Sequence, residues 1–409
     1  MNWMRVYLVP STYPQIETWN SILMARGPKG VPEPLSQTAD EALAIERSSS
    51  DGRPVGIKDI ARALGISIGT VDRAIHGRGG INAITKERVL KMSQTLGYRP
   101  NLAARYLKAP RQIRVSVNLP ARIGSFFDAV RAGIRDASSP FQAGVNLEFR
   151  THPALGEGDE DLFREALEDN SKGIIIAPGH PAQLKVWIRR AAQRRVPVVC
   201  VSTDAPGTER LTAVSADPFV SGAMVAEFLH LTVREPGTVG VFTGDLSTID
   251  HSEKVRGFKQ SLRSLSGSLE LSGVIETHDD ESAAYNQTRK LLARDRSLKA
   301  LYVSTANSVT VIQALEELDP ERRIAVVTTD LFAQLVPFLK SGRILATIYQ
   351  RPEAQGRMAF EALYNFLAEG KCPPHRIKLN PHIVMRSNLE LFLGRIPPSA
   401  EHNNPAGVK

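Results

Sequence analysis

The sequence predicts an α/β protein in which a small all-α helix-turn-helix domain is followed by two doubly wound parallel-sheet lobes. Three observations support this prediction. Two short helical patterns flank a glycine turn near residue 65, and strand and helix patterns alternate from residue 113 to residue 392. The chain also has 409 residues, whereas a single hydrophobic core rarely grows beyond roughly 250–300 residues. More than one domain is therefore expected.

The first helix is predicted over residues 57–64. Its apolar positions follow the i, i+3, i+4, i+7 spacing of one helix face, and they are Ile57, Ile60, Ala61 and Leu64. Gly65 is expected to end this helix because glycine adopts a positive φ at low cost. Ser67 is the expected N-cap of a second helix over residues 68–75, with Val71 and Ile75 facing inward.

A third helix is predicted over residues 85–96, with Thr85 as its N-cap. Val89, Met92 and Leu96 would face the other two helices. Two short helices joined by a glycine turn, with a third helix behind them, are typical of the helix-turn-helix motif of DNA-binding proteins.

The net positive charge of the chain is concentrated in this module. Between residues 55 and 112 there are eleven Lys and Arg against three Asp and Glu, a net charge of +8, and the whole chain also carries +8. The remainder is therefore neutral. A basic small domain with this pattern favours a phosphate-binding face over a solvated helical domain that is basic by chance.

Two segments, IKDIARALGISIGTVDRAI at residues 57–75 and TKERVLKMSQTLGYRPNLAARYLK at residues 85–108, resemble the DNA-binding headpiece and hinge of the LacI/GalR family of bacterial transcription regulators. The family's Val-Ser-Arg after the second-helix threonine is Val71-Asp72-Arg73 here. The likeness covers residues 55 to about 392. It implies a sequence-specific regulator, most simply a repressor, that binds operator DNA as a homodimer.

The resemblance places the second helix in the major groove, with Ile68 and Gly69 at the base-reading positions. Ile68 can pack on a thymine methyl group, and Gly69 offers no side chain. Arg73 is the leading candidate for a polar base contact, although a phosphate contact remains the alternative. Phosphate contacts are expected from the remaining polar candidates of the module, Lys58, Thr70, Asn82 and His76. Asp72 is unusual, because a carboxylate near DNA repels phosphate.

A short helix is expected over residues 102–107, capped by Asn101 after Pro100. It is too short to be stable alone in water. The resemblance implies that two copies pair in the minor groove through Asn101, Ala104 and Leu107, with Leu107 wedged between base steps. The alternative is that Leu107 is an apolar residue of an ordinary linker.

The second half of the chain alternates strands and helices, which is typical of parallel sheets covered on both faces. Strands are predicted at residues 113–118, 145–151, 173–177, 197–202, 237–243, 269–277, 300–304, 323–329 and 345–349. Helices are predicted at residues 126–137, 182–194, 218–233, 253–265, 282–293, 308–318, 331–340 and 352–368. By resemblance to the family, these form two lobes like those of periplasmic binding proteins of type I.

The predicted organisation has six parts. Residues 1–54 form a poorly ordered extension, 55–98 the helix-turn-helix domain, 99–112 the hinge and linker, and 393–409 a tail. Lobe 1 comprises about 113–214 and 351–376, and lobe 2 about 215–350 and 377–392. The tail lacks leucine heptads, so a coiled-coil tetramer is not expected.

Ligands of open parallel sheets bind beyond the carboxyl ends of the strands. A small effector, by resemblance a sugar or sugar derivative, is therefore expected between the lobes. Its candidate contacts follow predicted strands, and they are Phe126, Phe127, His180, His251, Ser252, Asn307, Asp330 and Gln350. Asp330 and Gln350 resemble the family's ligand-binding carboxylate and glutamine. Many relatives carry arginine at the position of Ser252 and an acid at that of His180, which leaves the sugar open.

Several classes of protein are disfavoured. No His-Glu-x-x-His or Cys-x-x-Cys motif occurs, and the Gly-x-Ser-x-Gly string at residues 65–69 lies in the glycine turn between two predicted helices, so no enzyme, metal or cofactor is expected. The two cysteines, the missing signal peptide and the absence of an apolar run of roughly 18–20 residues favour a cytoplasmic protein without membrane association. A sugar-binding protein of a transport or sensing system and a carbohydrate-active enzyme remain the alternatives.

Overall fold

A computed structural model describes residues 55–75, 79–96, 113–142, 144–265, 267, 269–305 and 307–396. The chain divides into two compact units, Met1–Asn101 and Leu102–Lys409. The predicted extension over residues 1–54, the tail beyond residue 396, His76 and the hinge residues Asn101, Ala104 and Leu107 lie outside the described residues.

The first unit contains the predicted helix-turn-helix, with α1 at Ile57–Leu64, α2 at Ile68–Ile75 and α3 at Ala83–Thr95. Gly65 has a φ of 64° and ends α1 as predicted. The three helices meet in a small core whose buried side chains are Ile60, Ala61, Val71, Ala74 and Val89.

The cap of α3 differs from the prediction. The helix begins at Ala83, and the side-chain Oδ1 of Asn82 accepts a hydrogen bond from the backbone N–H of Ile84 at 2.8 Å. Thr85 is therefore a residue of the first turn and not the N-cap. The cap of α2 is as predicted, because the Oγ of Ser67 accepts from the N–H of Thr70 at 3.1 Å.

The second unit contains two lobes built on parallel sheets, as the sequence predicts, and each sheet has six strands. The first has the order β2-β1-β3-β4-β5-β11 and is parallel throughout. Its strands are β1 at Ile113–Pro120, β2 at Val145–His152, β3 at Gly173–Ile176, β4 at Val198–Val201, β5 at Thr212–Ala216 and β11 at Arg376–Leu379. The helices of this half are α4 at Gly124–Ser138, α5 at Asp159–Glu168 and α6 at Pro181–Gln193, together with α12 at Pro352–Glu369.

The second sheet has the order β7-β6-β8-β9-β10-β12, in which β12 is antiparallel to β10. Its strands are β6 at Gly237–Thr243, β7 at Leu269–Glu276, β8 at Leu298–Val303, β9 at Ala325–Thr329, β10 at Ala346–Tyr349 and β12 at His382–Val384. The helices are α7 at Pro218–Thr232, α8 at Ile249–Ser264, α9 at Glu281–Arg294, α10 at Ser308–Leu318, α11 at Val336–Lys340 and α13 at Glu390–Leu393.

Three short strands, β5, β11 and β12, were not predicted. Strand β11 pairs with β5 in the first sheet, so lobe 1 continues to Leu379 and the predicted boundary at residue 376 is too early. These strands have three to five residues, which is too short for a clear apolar alternation. The helix predicted over residues 331–340 is shorter as well, because a 3-10 turn at Ala333–Leu335 precedes α11.

Helices α7 and α8 pack closely through two glycines. A Cβ on Gly222 would lie 1.9 Å from the carbonyl oxygen of Lys254, and a Cβ on Gly257 would lie 2.0 Å from that of Phe219. The two backbones therefore touch, which fixes the position of α8 beside the second sheet. Within the described part of the chain, none of the helices has the length and apolarity needed to cross a membrane.

Candidate functional site

The headpiece presents most of its predicted DNA-contacting residues at the surface. Ile68 is 49% exposed despite being a large apolar residue, and Gly69, Arg73 and Lys58 are exposed as well. Exposure to water does not stabilise an apolar side chain, so an exposed isoleucine at the start of α2 is consistent with a binding surface.

Two of the predicted phosphate contacts also have structural roles. The hydroxyl of Thr70 lies 2.9 Å from that of Ser67, and the side-chain oxygen of Asn82 caps α3. The amide NH₂ of Asn82 is not used by the cap. Both residues lie at helix starts, where backbone N–H groups and small polar side chains can face a phosphate.

A cleft lies between the two lobes at the carboxyl ends of their strands, and its empty space is about 430 Å³, counting the open mouth. We call it the interlobe cleft. Lobe 1 contributes Ile123, Phe126, Phe127, Leu155, Ser202 and Thr203. Lobe 2 contributes Thr248, Asp250, His251, Lys254, Ser304, Thr305 and Asp330, and Gln350 lies where the chain returns to lobe 1.

An aromatic pair forms the lobe 1 wall. Phe126 and Phe127 lie in the first turn of α4, with their rings edge to face and the centroids 5.1 Å apart. They are 9% and 3% exposed. Both line the interlobe cleft, as the sequence predicts for residues that follow the first strand. They give the cleft an apolar surface opposite its polar side chains.

Asp330 and Gln350 face this pair and touch each other. The side-chain Nε2 of Gln350 donates to Oδ1 of Asp330 at 2.7 Å. Burial raises the pKa of Asp330 to about 6, and the negative charges of Asp250 and Asp279 act in the same direction, while Lys254 and the hydrogen bond from Gln350 oppose them. At neutral pH the carboxyl group of Asp330 is therefore ionised, and keeping this charge buried costs free energy.

A buried ion pair on α8 completes the lobe 2 wall. Lys254 is 1% exposed, and its Nζ donates to Oδ2 of Asp250 at 2.6 Å. Burial disfavours the charge on the amine, but the carboxylates of Asp250 and Asp330 outweigh it and raise the pKa of Lys254. The close packing of α7 against the backbone carbonyl of Lys254 holds this residue in place.

Three buried atoms of the cleft make no hydrogen bond with any residue that the structure describes. They are Oγ of Ser202, Oδ1 of Asp250 and Nδ1 of His251. Burial lowers the pKa of His251, so its ring is neutral. Because a buried polar atom without a partner costs roughly 1–3 kcal/mol, three in one cleft indicate a place for a molecule that supplies partners.

The other three predicted effector contacts do not line the interlobe cleft. His180 contacts lobe 2 instead, where its Nδ1 lies 2.6 Å from Oγ of Ser247. Ser252 returns its hydroxyl to the carbonyl of Thr248 at 3.1 Å. Asn307 donates to Oγ1 of Thr277 at 3.3 Å and ties two loops of lobe 2 together.

The sequence analysis missed Asp250, Lys254 and Thr203 as cleft residues. Helix α8 begins at Ile249, four residues before its predicted start. Asp250 and Lys254 then share one helix face at i,i+4 spacing, while Ser252 points about 200° away from Asp250. In the sequence, the feature that indicates this ion pair is an aspartate followed four residues later by a lysine.

Two family models match the chain. The model for "Bacterial regulatory proteins, lacI family" covers residues 56–101, and the model for "Periplasmic binding protein domain" covers residues 115–372. Catabolite control protein A of Priestia megaterium is 25% identical over 262 residues, which is 61% of this chain and 74% of the relative. The HTH-type transcriptional repressor PurR of Vibrio vulnificus is 22% identical over 339 residues, 82% of this chain and 98% of the relative.

Solved structures show the same fold in the second unit. A solute-binding protein of an ABC transporter from Burkholderia graminis, in complex with D-arabinose, has a TM-score of 0.64 at 22% identity and covers 69% of this chain and 98% of its own. GanP, a glucose-galactose binding protein from Geobacillus stearothermophilus, has a TM-score of 0.64 at 23% identity and covers 68% of this chain and 99% of its own.

Proposed function

This chain belongs to the LacI family of bacterial regulatory proteins, and from that premise we propose that a small sugar-like effector in the interlobe cleft controls its affinity for operator DNA. The headpiece makes it a DNA-binding regulator. Repression is the expected direction, by analogy with the repressor PurR. The protein would act as a homodimer in the cytoplasm, where the DNA is.

The observation that supports an effector is the set of unused hydrogen-bonding atoms in the cleft, on Ser202, Asp250 and His251. Sugar hydroxyls both donate and accept, so one ring can satisfy carboxylate, imidazole and hydroxyl groups together. The aromatic pair of Phe126 and Phe127 would cover an apolar face of the ring. Sugar-binding proteins of the same fold, which bind D-arabinose in one case, are consistent with this class of ligand.

Binding rather than turnover is proposed for the cleft. Lys254 pairs with Asp250, and Gln350 donates to Asp330. Neither pair contains a serine, threonine or cysteine nucleophile activated by a neighbouring base, which acyl transfer through a covalent intermediate would need. A transport protein of the same fold would have no use for the headpiece.

On DNA, two headpieces would each place α2 in the major groove of one half-site. Arg73 is proposed to bond a base edge and Ile68 to pack on a thymine methyl, while Lys58, Thr70 and Asn82 contact phosphates. The effector would bind one arrangement of the lobes better than the other. Because the effector binds the two arrangements with different affinity, it shifts the balance between them, and this shift changes the affinity for DNA.

The experiment has two stages. Selection of bound duplexes from a random pool by the full-length chain identifies the operator, and fluorescence anisotropy then measures operator affinity with each carbohydrate of a panel. Arg73→Ala should lose the operator but keep the thermal shift caused by a bound carbohydrate. Asp330→Asn should keep the operator and lose the response. A chain that binds random DNA as tightly as any selected duplex contradicts the proposal.

A further inference from the structure

The interlobe cleft has more buried negative than positive charge. From this imbalance we infer that its effector carries a protonated amino group beside its hydroxyls, as an amino sugar does. The inference rests on the proposed function of the cleft as the effector site, and it narrows the class of effector.

Four ionisable side chains line the cleft in the part of the chain that the structure describes, and they are Asp250, His251, Lys254 and Asp330. His251 is neutral because burial lowers its pKa. Beneath them, burial raises the pKa of Tyr302 to about 12, so its hydroxyl is neutral as well. Two carboxylates therefore face one ammonium group, and the cleft holds one negative charge in excess.

The ammonium group of Lys254 acts on both carboxylates but hydrogen-bonds only that of Asp250. Lys254 donates to Oδ2 of Asp250 at 2.6 Å, whereas Asp330 receives the neutral amide of Gln350 at 2.7 Å. The other carboxylate oxygen of Asp250, Oδ1, is buried and has no partner among the described residues. A buried carboxylate without an opposing charge is costly, and a ligand ammonium group next to Asp330 and Asp250 would remove that cost.

The carboxylates around the rim act in the same direction, whereas the cation of Arg122 opposes them. Asp279, which accepts a hydrogen bond from the hydroxyl of Thr305, adds to the negative field at both His251 and Asp330. Asp245 lies 3.6 Å from the exposed ring of His278. On the lobe 1 side, Arg122 donates to the backbone oxygen of His278 at 3.4 Å. The carboxylates outnumber the cations, so a phosphate or carboxylate on the ligand would be repelled.

The alternative way to balance the cleft is to protonate Asp330, in which case a neutral sugar would fit as well. The two cases differ in what happens when one hydroxyl of a ligand becomes an amine. With an ionised Asp330 the amine gains an ion pair inside the cleft. With a protonated Asp330 the amine must be buried beside a neutral acid and beside Lys254, and binding weakens.

Isothermal titration calorimetry of the full-length chain with matched sets of sugars distinguishes an ionised Asp330 from a protonated one. The sets are glucose, glucosamine and N-acetylglucosamine, then galactose, galactosamine and N-acetylgalactosamine, and then mannose, mannosamine and N-acetylmannosamine, each with the 6-phosphate of its parent sugar. We expect at least one amine to bind ten times or more tighter than its parent, its N-acetyl derivative and the phosphate. The inference is overturned if no amine in the panel binds ten times tighter than its parent sugar, which includes the failure of every amine to bind.

Substitutions of the two cleft carboxylates show whether they cause the tighter binding of the amine. Asp330→Asn and Asp250→Asn are close to isosteric, and each should reduce the ratio of amine to parent affinity at least threefold. Asp136→Asn, an exposed residue on the far part of α4, is the control and should leave the ratio unchanged. If a neutral sugar binds and alters operator affinity, the proposed function stands and only this inference falls. If operator affinity responds to no ligand that binds, the proposed function falls.

Discussion

Replacing Lys254 with methionine tests the buried ion pair of the cleft. Methionine keeps an unbranched apolar side chain and removes the charged end, so Asp250 and Asp330 remain buried without an opposing cation. Removing one partner of a buried pair costs roughly 3–5 kcal/mol. For a domain of this size each 1 kcal/mol lowers the Tm by about 2–4 °C. We therefore expect Lys254→Met to unfold about 6–20 °C below the unmodified chain at pH 8.

The cost should depend on pH, because a protonated carboxyl group needs no counter-ion. Lys254 lowers the pKa of Asp330, so its removal raises that pKa further above about 6. At pH 5 the neutral form then dominates, and the loss of stability should be less than half that at pH 8. Thermal unfolding of the full-length chain at the two pH values, followed by circular dichroism or calorimetry, measures both quantities.

Two further variants make the result interpretable. Lys259→Met changes a lysine of the same helix that makes no ion pair in the described residues, and it should shift the Tm by no more than about 1–2 °C, because surface changes stay within about 0.5 kcal/mol. Lys254→Met combined with Asp250→Asn should recover part of the loss. An equal loss at pH 5 and pH 8 would refute the reasoning, since uncompensated charge would then not be its cause.

Four further substitutions probe the headpiece and the cleft. Arg73→Ala should weaken the selected operator about 10–100-fold, while Lys58→Ala weakens all duplexes alike and reduces the salt slope by about one, both measured by anisotropy at several salt concentrations. Gly65→Ala should cost the headpiece about 1 kcal/mol in denaturant unfolding, because its φ of 64° strains a Cβ; equal stability would contradict this. Because burial raises the pKa of Asp330, its protonated form stabilises the fold. That stabilisation is fully present below pH 3.8 and is lost as the pH rises through about 6. Asp330→Asn should remove a decrease of about 1–3 kcal/mol over that interval, and an unchanged pH profile would count against it.

The fold was predictable because its signals are local and repeated. The glycine at position 65 and the apolar spacing of α1 give the headpiece, and runs such as Gly173–Ile176 give the sheet interior. Arg376–Leu379 and His382–Val384 were missed because they are too short to show a period and lack the continuous buried run of Gly173–Ile176. Their place is decided by the sheet edges that they cover, which is a long-range property.

The cleft was predictable only where its residues follow strands. Phe126, Phe127, Asp330 and Gln350 lie at strand ends in the sequence and meet in the structure. Lys254 lies in the second turn of α8, and its approach to Asp330 depends on how that helix packs. Sequence position alone cannot supply the packing, and for the same reason Asn307 follows a strand but ties loops together instead.

The start of α8 explains how an occupant of the cleft can act on the two lobes. Thr248 donates its hydroxyl hydrogen to the carbonyl of Gly179 in lobe 1 at 3.1 Å, and the N–H of Asp250 donates to Oγ1 of Thr203 at 3.4 Å. The same turn carries Asp250 and His251 into the cleft. A ligand that bonds these two side chains therefore stabilises the turn that joins the lobes. Opening of the lobes would break both sets of contacts, so we expect ligand affinity to differ between open and closed arrangements, which is the condition for allosteric control.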